Sequence, residues 1–236
     1  MKSFTDLQEG LYDPNIFKAF FLAGGPGSGK SYVVKKSTGG TGLKIVNSDD
    51  VFEKYLAQAK LDFKMQDAQS GEREVQRAKA KKVTDKRKAN YIEGRLGLVI
   101  DGTGKDFGKI SSQAAGLRQV GYDVHMIFVN TSLDVALANN KQRKRVVPEK
   151  LVMNMWKQVQ SNIGKFQQFF GPKNFIIVDN DMPDLDGRLF DHVFKKVKAL
   201  LSRKVDNWMA KAWMNKELKL KQRWVMEILT ITLILI

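Results

Sequence analysis

The sequence has no cysteine and only two histidines, His125 and His192, among its 236 residues. Disulfides and thiolate metal sites are therefore excluded, and a reducing compartment is expected. No apolar run reaches the roughly 20 residues that a membrane-spanning helix needs. The most apolar stretch, residues 225–236, is interrupted by Glu227. Acidic residues at positions 6, 9 and 13 interrupt the start of the chain, so no secretory signal is expected there.

Acidic residues are also scarce, since 25 acidic side chains face 40 basic ones and give a net charge of +15. Such an excess attracts nucleic acid, nucleotides or an anionic membrane surface without choosing among them. Much of the charge lies in residues 52–95, a long polar segment that is mostly helical in pattern and that Gly71 is expected to divide. Its second part is either a solvated helix face or a surface that binds an acceptor. The basic residues there are Arg73, Arg77, Lys79, Lys81, Lys82, Lys86, Arg87, Lys88 and Arg95.

Five short apolar runs alternate with helical patterns along the rest of the chain. The runs predict strands at 17–23, 43–46, 96–100, 122–129 and 175–178. This alternation predicts an α/β fold with a parallel five-stranded sheet covered by helices on both faces. Helices are expected at 31–36, 109–120, 132–140 and 185–201, with another opened by Pro148.

The predicted organisation is a leader over 1–15, a main domain over 16–201 and a basic helical appendage with an apolar end over 202–236. The appendage carries Trp208, Trp213 and Trp224. We interpret these tryptophans as packing residues rather than as a ligand-binding set.

Residues 24–31 read G-G-P-G-S-G-K-S and match the phosphate-loop pattern G-x-x-x-x-G-K-[ST] completely. The loop follows a predicted strand and opens a predicted helix, so its backbone N–H groups can surround phosphate oxygens. Lys30 is expected to reach the β- and γ-phosphates of ATP or GTP, and the Ser31 hydroxyl to ligate Mg²⁺. The predicted nucleotide-binding residues are Gly25, Pro26, Gly27, Ser28, Gly29, Lys30, Ser31 and Tyr32.

Three aspartates follow predicted strands at the edge of the sheet where such loops lie. Asp49 is the predicted base for an attacking hydroxyl, with Asp50 in reserve, and Asp101 the second predicted Mg²⁺ ligand. Alternatively, one of Asp49 and Asp50 caps the next helix. Arg143 and Arg145 precede Pro148, where a lid would lie, and are predicted to stabilise the transferred charge unless they are inert in a solvated turn.

With these residues placed, residues 17–178 resemble the P-loop kinases of the zeta-toxin and polynucleotide-kinase group. The matching segments are N-S-D-D at 47–50, D-G-T at 101–103 and K-Q-R-K-R-V-V-P at 141–148. The resemblance implies transfer of phosphate from ATP or GTP with Mg²⁺ to a hydroxyl of a nucleic acid, nucleotide or nucleotide sugar. Polynucleotide kinases carry an arginine three residues after the catalytic aspartate, where this chain has Phe52. Lys54 or the basic helix could substitute for it.

Residues 1–10, M-K-S-F-T-D-L-Q-E-G, resemble the capsid-targeting leaders of T-even-like phage internal proteins. The resemblance implies cleavage after Glu9 by a phage prohead protease, packaging in a virion and delivery to a bacterial host cytoplasm. Two rival functions stay open at this stage. One is a nucleotide hydrolase or switch, and the other is a packaged protein that binds DNA. The chain has no GTPase N-K-x-D segment, and it lacks the protein-kinase set, because the D-F-G at 106–108 has no H-R-D before it.

Overall fold

The computed structural model describes residues 10–63, 70–143, 145–181 and 188–234. Its centre is a five-stranded sheet in which every neighbouring pair is parallel, in the order β2-β3-β1-β4-β5. The predicted fold class is therefore confirmed, and each strand lies within two residues of its predicted limits. The strands are β1 Lys18–Ala23, β2 Lys44–Val46, β3 Leu98–Asp101, β4 Asp123–Asn130 and β5 Phe175–Asp179.

Nine helices are described around this sheet. They are α1 Lys30–Thr38, α2 Ser48–Gln58, α3 Ser70–Glu93, α4 Phe107–Gln119, α5 Leu133–Lys141, α6 Glu149–Gln160, α7 Ile163–Phe170, α8 Arg188–Leu201 and α9 Trp208–Ile234. Successive residues of a strand point to opposite faces, and β1 therefore contributes to two separate cores. Phe21 packs with buried residues of α4 and α7, whereas Phe20 and Leu22 pack with those of α1 and α8. The sheet is thus covered on both faces.

A helical hairpin, α2 with α3, lies beside the β2 edge of the sheet. It has a small apolar core of its own, to which Phe52, Leu56 and Ala80 contribute. The prediction that Gly71 divides this segment is wrong, because α2 ends at Gln58 and Gly71 lies in the first turn of α3.

Helix α7 was not expected from the sequence. In the core, the ring of its buried Phe166 lies near that of Phe128, and the ring of its buried Phe170 lies near that of Phe21. Only residues 161 and 162 separate it from α6. Ser161 and Asn162 cap the two helices, and both residue types favour caps and turns, so the pair was a local signal that the prediction did not use.

The appendage is a helix, α9, whose first turns contact the core. Ala210 is buried against Gly121, and Trp213 packs edge-on to Phe17. Trp208 and Trp224 remain 74% and 57% exposed, so packing explains only one of the three tryptophans. Within the described ranges, no helix is both long and apolar enough to cross a membrane. The predicted leader lies largely outside the described residues, and its cleavage and packaging stay predictions, as do the domain limits.

Candidate active site

The phosphate loop joins β1 to α1 and has a backbone that only glycines adopt readily. Gly27 and Gly29 have φ angles of 78° and 80°, in the left-handed region. A Cβ atom on Gly27 would lie 2.0 Å from the carbonyl oxygen of Ala136 in α5. The loop therefore fits against α5 only with glycine at this position. Lys30 is the first residue of α1, so the positive end of a helix dipole faces the loop.

Polar side chains of α5 and of the loops after β4 and β5 donate hydrogen bonds to carbonyl oxygens of the phosphate loop. Asn139 Nδ2 donates to the carbonyl oxygen of Gly27 at 2.9 Å, and Asn180 Nδ2 donates to that of Ser28 at 2.9 Å. Thr131 Oγ1 donates to the same Ser28 oxygen at 3.3 Å. These three residues were not predicted from the sequence. Their only local signal is that Thr131 and Asn180 directly follow strands β4 and β5.

Lys30 and Asp101 form the electrostatic centre of the site. Lys30 Nζ lies 3.4 Å from the carbonyl oxygen of Gly25. Burial lowers the pKa of Lys30, the nearby charge of Asp101 opposes this shift, and that of Arg143 adds to it. Asp101 ends β3, and burial raises the pKa of its carboxyl group against the opposing effect of Lys30. The two groups therefore lie close enough to influence each other's protonation.

Asp49 and Asp50 lie in the first turn of α2, at the carboxyl end of β2. The side chain of Asn47 caps this helix by accepting a hydrogen bond from the Asp49 amide at 2.8 Å. The alternative interpretation of Asp49 or Asp50 as the helix cap is therefore wrong. Asn47 also donates to Asp50 Oδ1 at 3.1 Å. The pKa of Asp50 is raised by burial and then by the charge of Asp49.

Arg145 holds the Asp49 carboxylate with two hydrogen bonds. The distances are 2.8 Å from Nη2 to Oδ2 and 3.3 Å from Nη1 to Oδ1. Only 8% of the Arg145 side chain is exposed, against 49% of Asp49. Arg145 is thus not an inert residue of a solvated turn. Arg143 is exposed, but its charge acts on Lys30.

The structure places the remaining predicted residues less centrally. Ser31 is exposed at the start of α1. The ring of Tyr32 packs edge-on against Phe190 of α8, with 5.1 Å between the ring centroids. Its predicted contact with a nucleotide stays a prediction. Lys54 is exposed and does not line the cleft beside Asp49.

That cleft has a volume of about 440 Å³ and opens between the ends of β2 and β3 and the helices α3 and α4. Asp49 and Asp101 line it on the side of the sheet. Its basic lining residues are Arg77, Lys81, Lys88, Lys105 and Lys109. Asp85 and Asp106 line it as well. A molecule in this cleft would therefore contact the predicted base and charges of both signs.

The residues present fit a bound nucleotide with Mg²⁺. Within the described part of the chain, Ser28 Oγ and Asp101 Oδ1 are buried and have no hydrogen-bond partner. No group of three acidic, histidine or cysteine ligands occurs among the same residues. Mg²⁺ usually takes only one or two carboxylates, together with water and substrate phosphates. Asp101 with the Ser31 hydroxyl meets that requirement.

The sequence matches the family described as Zeta toxin over residues 8–186. The chain belongs to the zeta-toxin family. This membership, with the complete phosphate loop and the aspartates at the strand ends, makes the protein a kinase of the P-loop kind. The family resemblance seen in the sequence is thereby confirmed. No curated protein sequence matches the chain.

Solved structures share the fold of this zeta-toxin family member at low sequence identity. One belongs to the PezAT chromosomal toxin–antitoxin system of Streptococcus pneumoniae; it is 14% identical, covers 84% of this chain and 93% of its own, and has a TM-score of 0.52. Another is the AvrRxo1-ORF1:-ORF2 structure with ATP; it is 16% identical, covers 85% of this chain and 69% of its own, and has a TM-score of 0.54. At such identities the likeness concerns the fold alone.

Proposed function

We propose that this zeta-toxin family member transfers the γ-phosphate of ATP or GTP to a hydroxyl group of an acceptor bound in the cleft. The observation that carries the proposal is the position of Asp49, which lines the cleft while its charge acts on Lys30 of the phosphate loop. The base and the phosphate loop are therefore close enough to act on one reaction centre.

Each residue of the site has its own role in the proposed reaction. Lys30 and the loop amides bind the triphosphate, while Ser31 and Asp101 would hold Mg²⁺. When bound, Mg²⁺ neutralises charge on the phosphate oxygens. Asp49 accepts the proton of the acceptor hydroxyl, whose oxygen forms a bond to the γ-phosphorus as the bond to the β-phosphate oxygen breaks. The products are a phosphorylated acceptor and a nucleoside diphosphate.

The two arginines would take different parts in this step. Arg145 is buried and holds both carboxylate oxygens of Asp49, so it orients the base. Arg143 is exposed and near Lys30, which suits contact with the transferred phosphate. Although Arg145 holds it, the Asp49 side chain is still about half exposed and lines the cleft.

The test uses γ-³²P-ATP with Mg²⁺ and a bacterial extract separated into nucleic-acid, protein and small-molecule fractions. We expect label in one fraction, and its loss with Asp49→Asn. Label released only as inorganic phosphate would contradict the proposal and favour a nucleotide hydrolase. The absence of any turnover, with salt-sensitive DNA affinity that needs no nucleotide, would favour a packaged DNA-binding protein.

A further inference from the structure

The two halves of α9 have different surroundings. In the first half, Ala210 is buried in the main core, and Trp213 and Met214 pack against that core. Lys221 is the last half-buried residue, and its ammonium lies 4.3 Å from the ring centroid of Tyr12. Among the side chains that the structure describes, those beyond Lys221 are all exposed. The helix continues to Ile234, so its second half leaves the protein core.

The exposed half of α9 is apolar. Trp224, Val225 and Met226 are each more than half exposed. Consecutive residues of a helix point about 100° apart, so these three side chains point in directions that span about 200°. The sequence from 224 to 236 contains a single charged residue, Glu227, which accepts a hydrogen bond from Arg223 Nε at 2.9 Å. A helix that is apolar on more than one side is normally surrounded by other apolar groups.

Basic side chains directly precede this apolar segment. Lys219 and Lys221 are two positions apart, which places them about 200° apart around the helix axis. Positive charge therefore lies on opposite sides of α9, just before the chain becomes apolar. We call the four basic residues of this part of the helix the basic collar. They are Lys216, Lys219, Lys221 and Arg223.

The order of charge and apolar surface along α9 matches a membrane with anionic headgroups. Such headgroups attract lysine and arginine, and the acyl chains beneath them surround an apolar helix on every side. A second copy of α9 would cover one side only, since paired helices share a single apolar stripe. Nucleic acid would bind the basic collar and leave the apolar side chains in water. Trp224 stands between the two regions, where tryptophan is enriched in membrane-bound helices.

The length of the apolar segment fits one leaflet of a bilayer. With a rise of 1.5 Å per residue, α9 extends about 15 Å from Trp224 to Ile234. The hydrocarbon core of a bilayer is about 30 Å thick, so one leaflet supplies about 15 Å. Insertion to this depth does not require a helix that crosses the membrane.

We propose that α9 inserts its segment from Trp224 to Ile234 into one leaflet of a membrane that contains anionic phospholipids, with the basic collar at the headgroups. The ion pair of Arg223 with Glu227 would lie at the boundary between headgroups and acyl chains, where water still reaches it. The insertion would hold the rest of the chain at the membrane surface. This inference depends on α9 alone and is independent of the proposed phosphoryl transfer.

The first test measures sedimentation of the full chain with vesicles of phosphatidylglycerol and phosphatidylcholine, or of phosphatidylcholine alone. We expect binding to the anionic vesicles that weakens as salt is added. Val225→Glu should lower the binding at least about tenfold, because it places a charge in the inserted segment. The matched control is Val75→Glu on α3, since Val75 and Val225 are both 52% exposed. Equal binding by these two variants, both folded by circular dichroism, would overturn the inference, as would equal binding to both kinds of vesicle.

The second test separates the basic collar from the net charge of the chain. Lys219→Gln and Arg223→Gln should each weaken binding to the anionic vesicles about fivefold, as for a basic residue at a membrane surface. Lys79→Gln and Lys82→Gln remove the same charge from exposed positions of α3 and should have little effect. Equal losses in the two pairs would overturn the role of the collar. A dimer in sedimentation equilibrium that Val225→Glu dissociates, without vesicle binding by the wild type, would overturn the inference and assign the apolar segment to a second copy of the chain.

Discussion

Ionisable side chains lie near both ends of the strands of the sheet, but their surroundings differ. We call the two ends of the strands the carboxyl edge and the amino edge. At the carboxyl edge, the charges of Lys30, Asp49 and Asp101 act on one another beside an open cleft. Near the amino edge, Lys18 is 2% exposed and is paired across neighbouring strands with Asp123. His125 is also buried there, against the ring of Phe20. The charges beside the cleft are accessible and can bind a substrate. Lys18 and Asp123 are paired with each other at the opposite edge, so they affect stability alone.

Lys30→Ala is the strongest test that the carboxyl edge serves function and the amino edge serves stability. We expect phosphoryl transfer to fall by about 10³-fold, because the charge that binds the β- and γ-phosphates is lost. The melting temperature should not fall, since within the described residues the Lys30 ammonium makes a single long hydrogen bond, to the carbonyl oxygen of Gly25. Transfer is measured with γ-³²P-ATP and stability by circular dichroism. Lys35→Ala is the matched control, because Lys35 lies exposed on the same helix. Normal turnover by Lys30→Ala would contradict the proposed mechanism.

Asp123→Asn at the amino edge should have the opposite outcome. It leaves the buried Lys18 ammonium without its carboxylate, and we expect a loss of about 3 kcal/mol in the free energy of unfolding. Lys18→Met should cost less, because Asp123 is 38% exposed and can be solvated once its partner is gone. Urea denaturation gives both values. Per folded molecule, transfer activity should be unchanged, and a selective loss of activity would break the distinction between the edges.

The features that were predicted from the sequence are those that depend on residues adjacent in the chain. Residues 24–31 define a phosphate loop, because the glycines and Lys30 must be adjacent for the loop to surround phosphates. The five apolar runs predicted the strands because a buried parallel strand has a short, continuous apolar sequence. Gly71 was misinterpreted because it lies inside the first turn of α3 and not between the two helices.

Contacts between distant residues could not be predicted in the same way. Asp49 and Arg145 are 96 positions apart, and their pairing depends on how Arg145, before α6, packs against α2. The stacking of Arg77 on Phe52 depends on the packing of α3 on α2. The basic run in α3 did not reveal which of its charges faces the cleft, because the neighbouring helix was needed to define the faces.

Asp49→Asn tests which carboxylate of the carboxyl edge is the base. We expect transfer to fall by about 10²-fold, the lower end of the range for general base catalysis. Nucleotide affinity, measured by isothermal titration calorimetry, should be retained. Asp50→Asn is the matched variant in the next position, and it should change transfer by less than about threefold because Asn47 already binds this carboxylate. A larger loss with Asp50→Asn than with Asp49→Asn would reverse the assignment.

The dependence of folding stability on pH should show the contribution of His125, the buried histidine near the amino edge. Burial lowers the pKa of His125 from 6.5 to about 4. Below pH 6.5 the unfolded chain takes up a proton that the folded chain does not, so folding stability falls as the pH decreases toward 4. Between pH 7 and 5.5 the loss should be about 1 kcal/mol. Urea denaturation at both pH values, compared with His125→Leu, isolates this contribution from that of Asp101 and Asp50, whose pKa values are raised. Equal losses in the two proteins would mean that His125 is solvated and protonates freely in the folded chain.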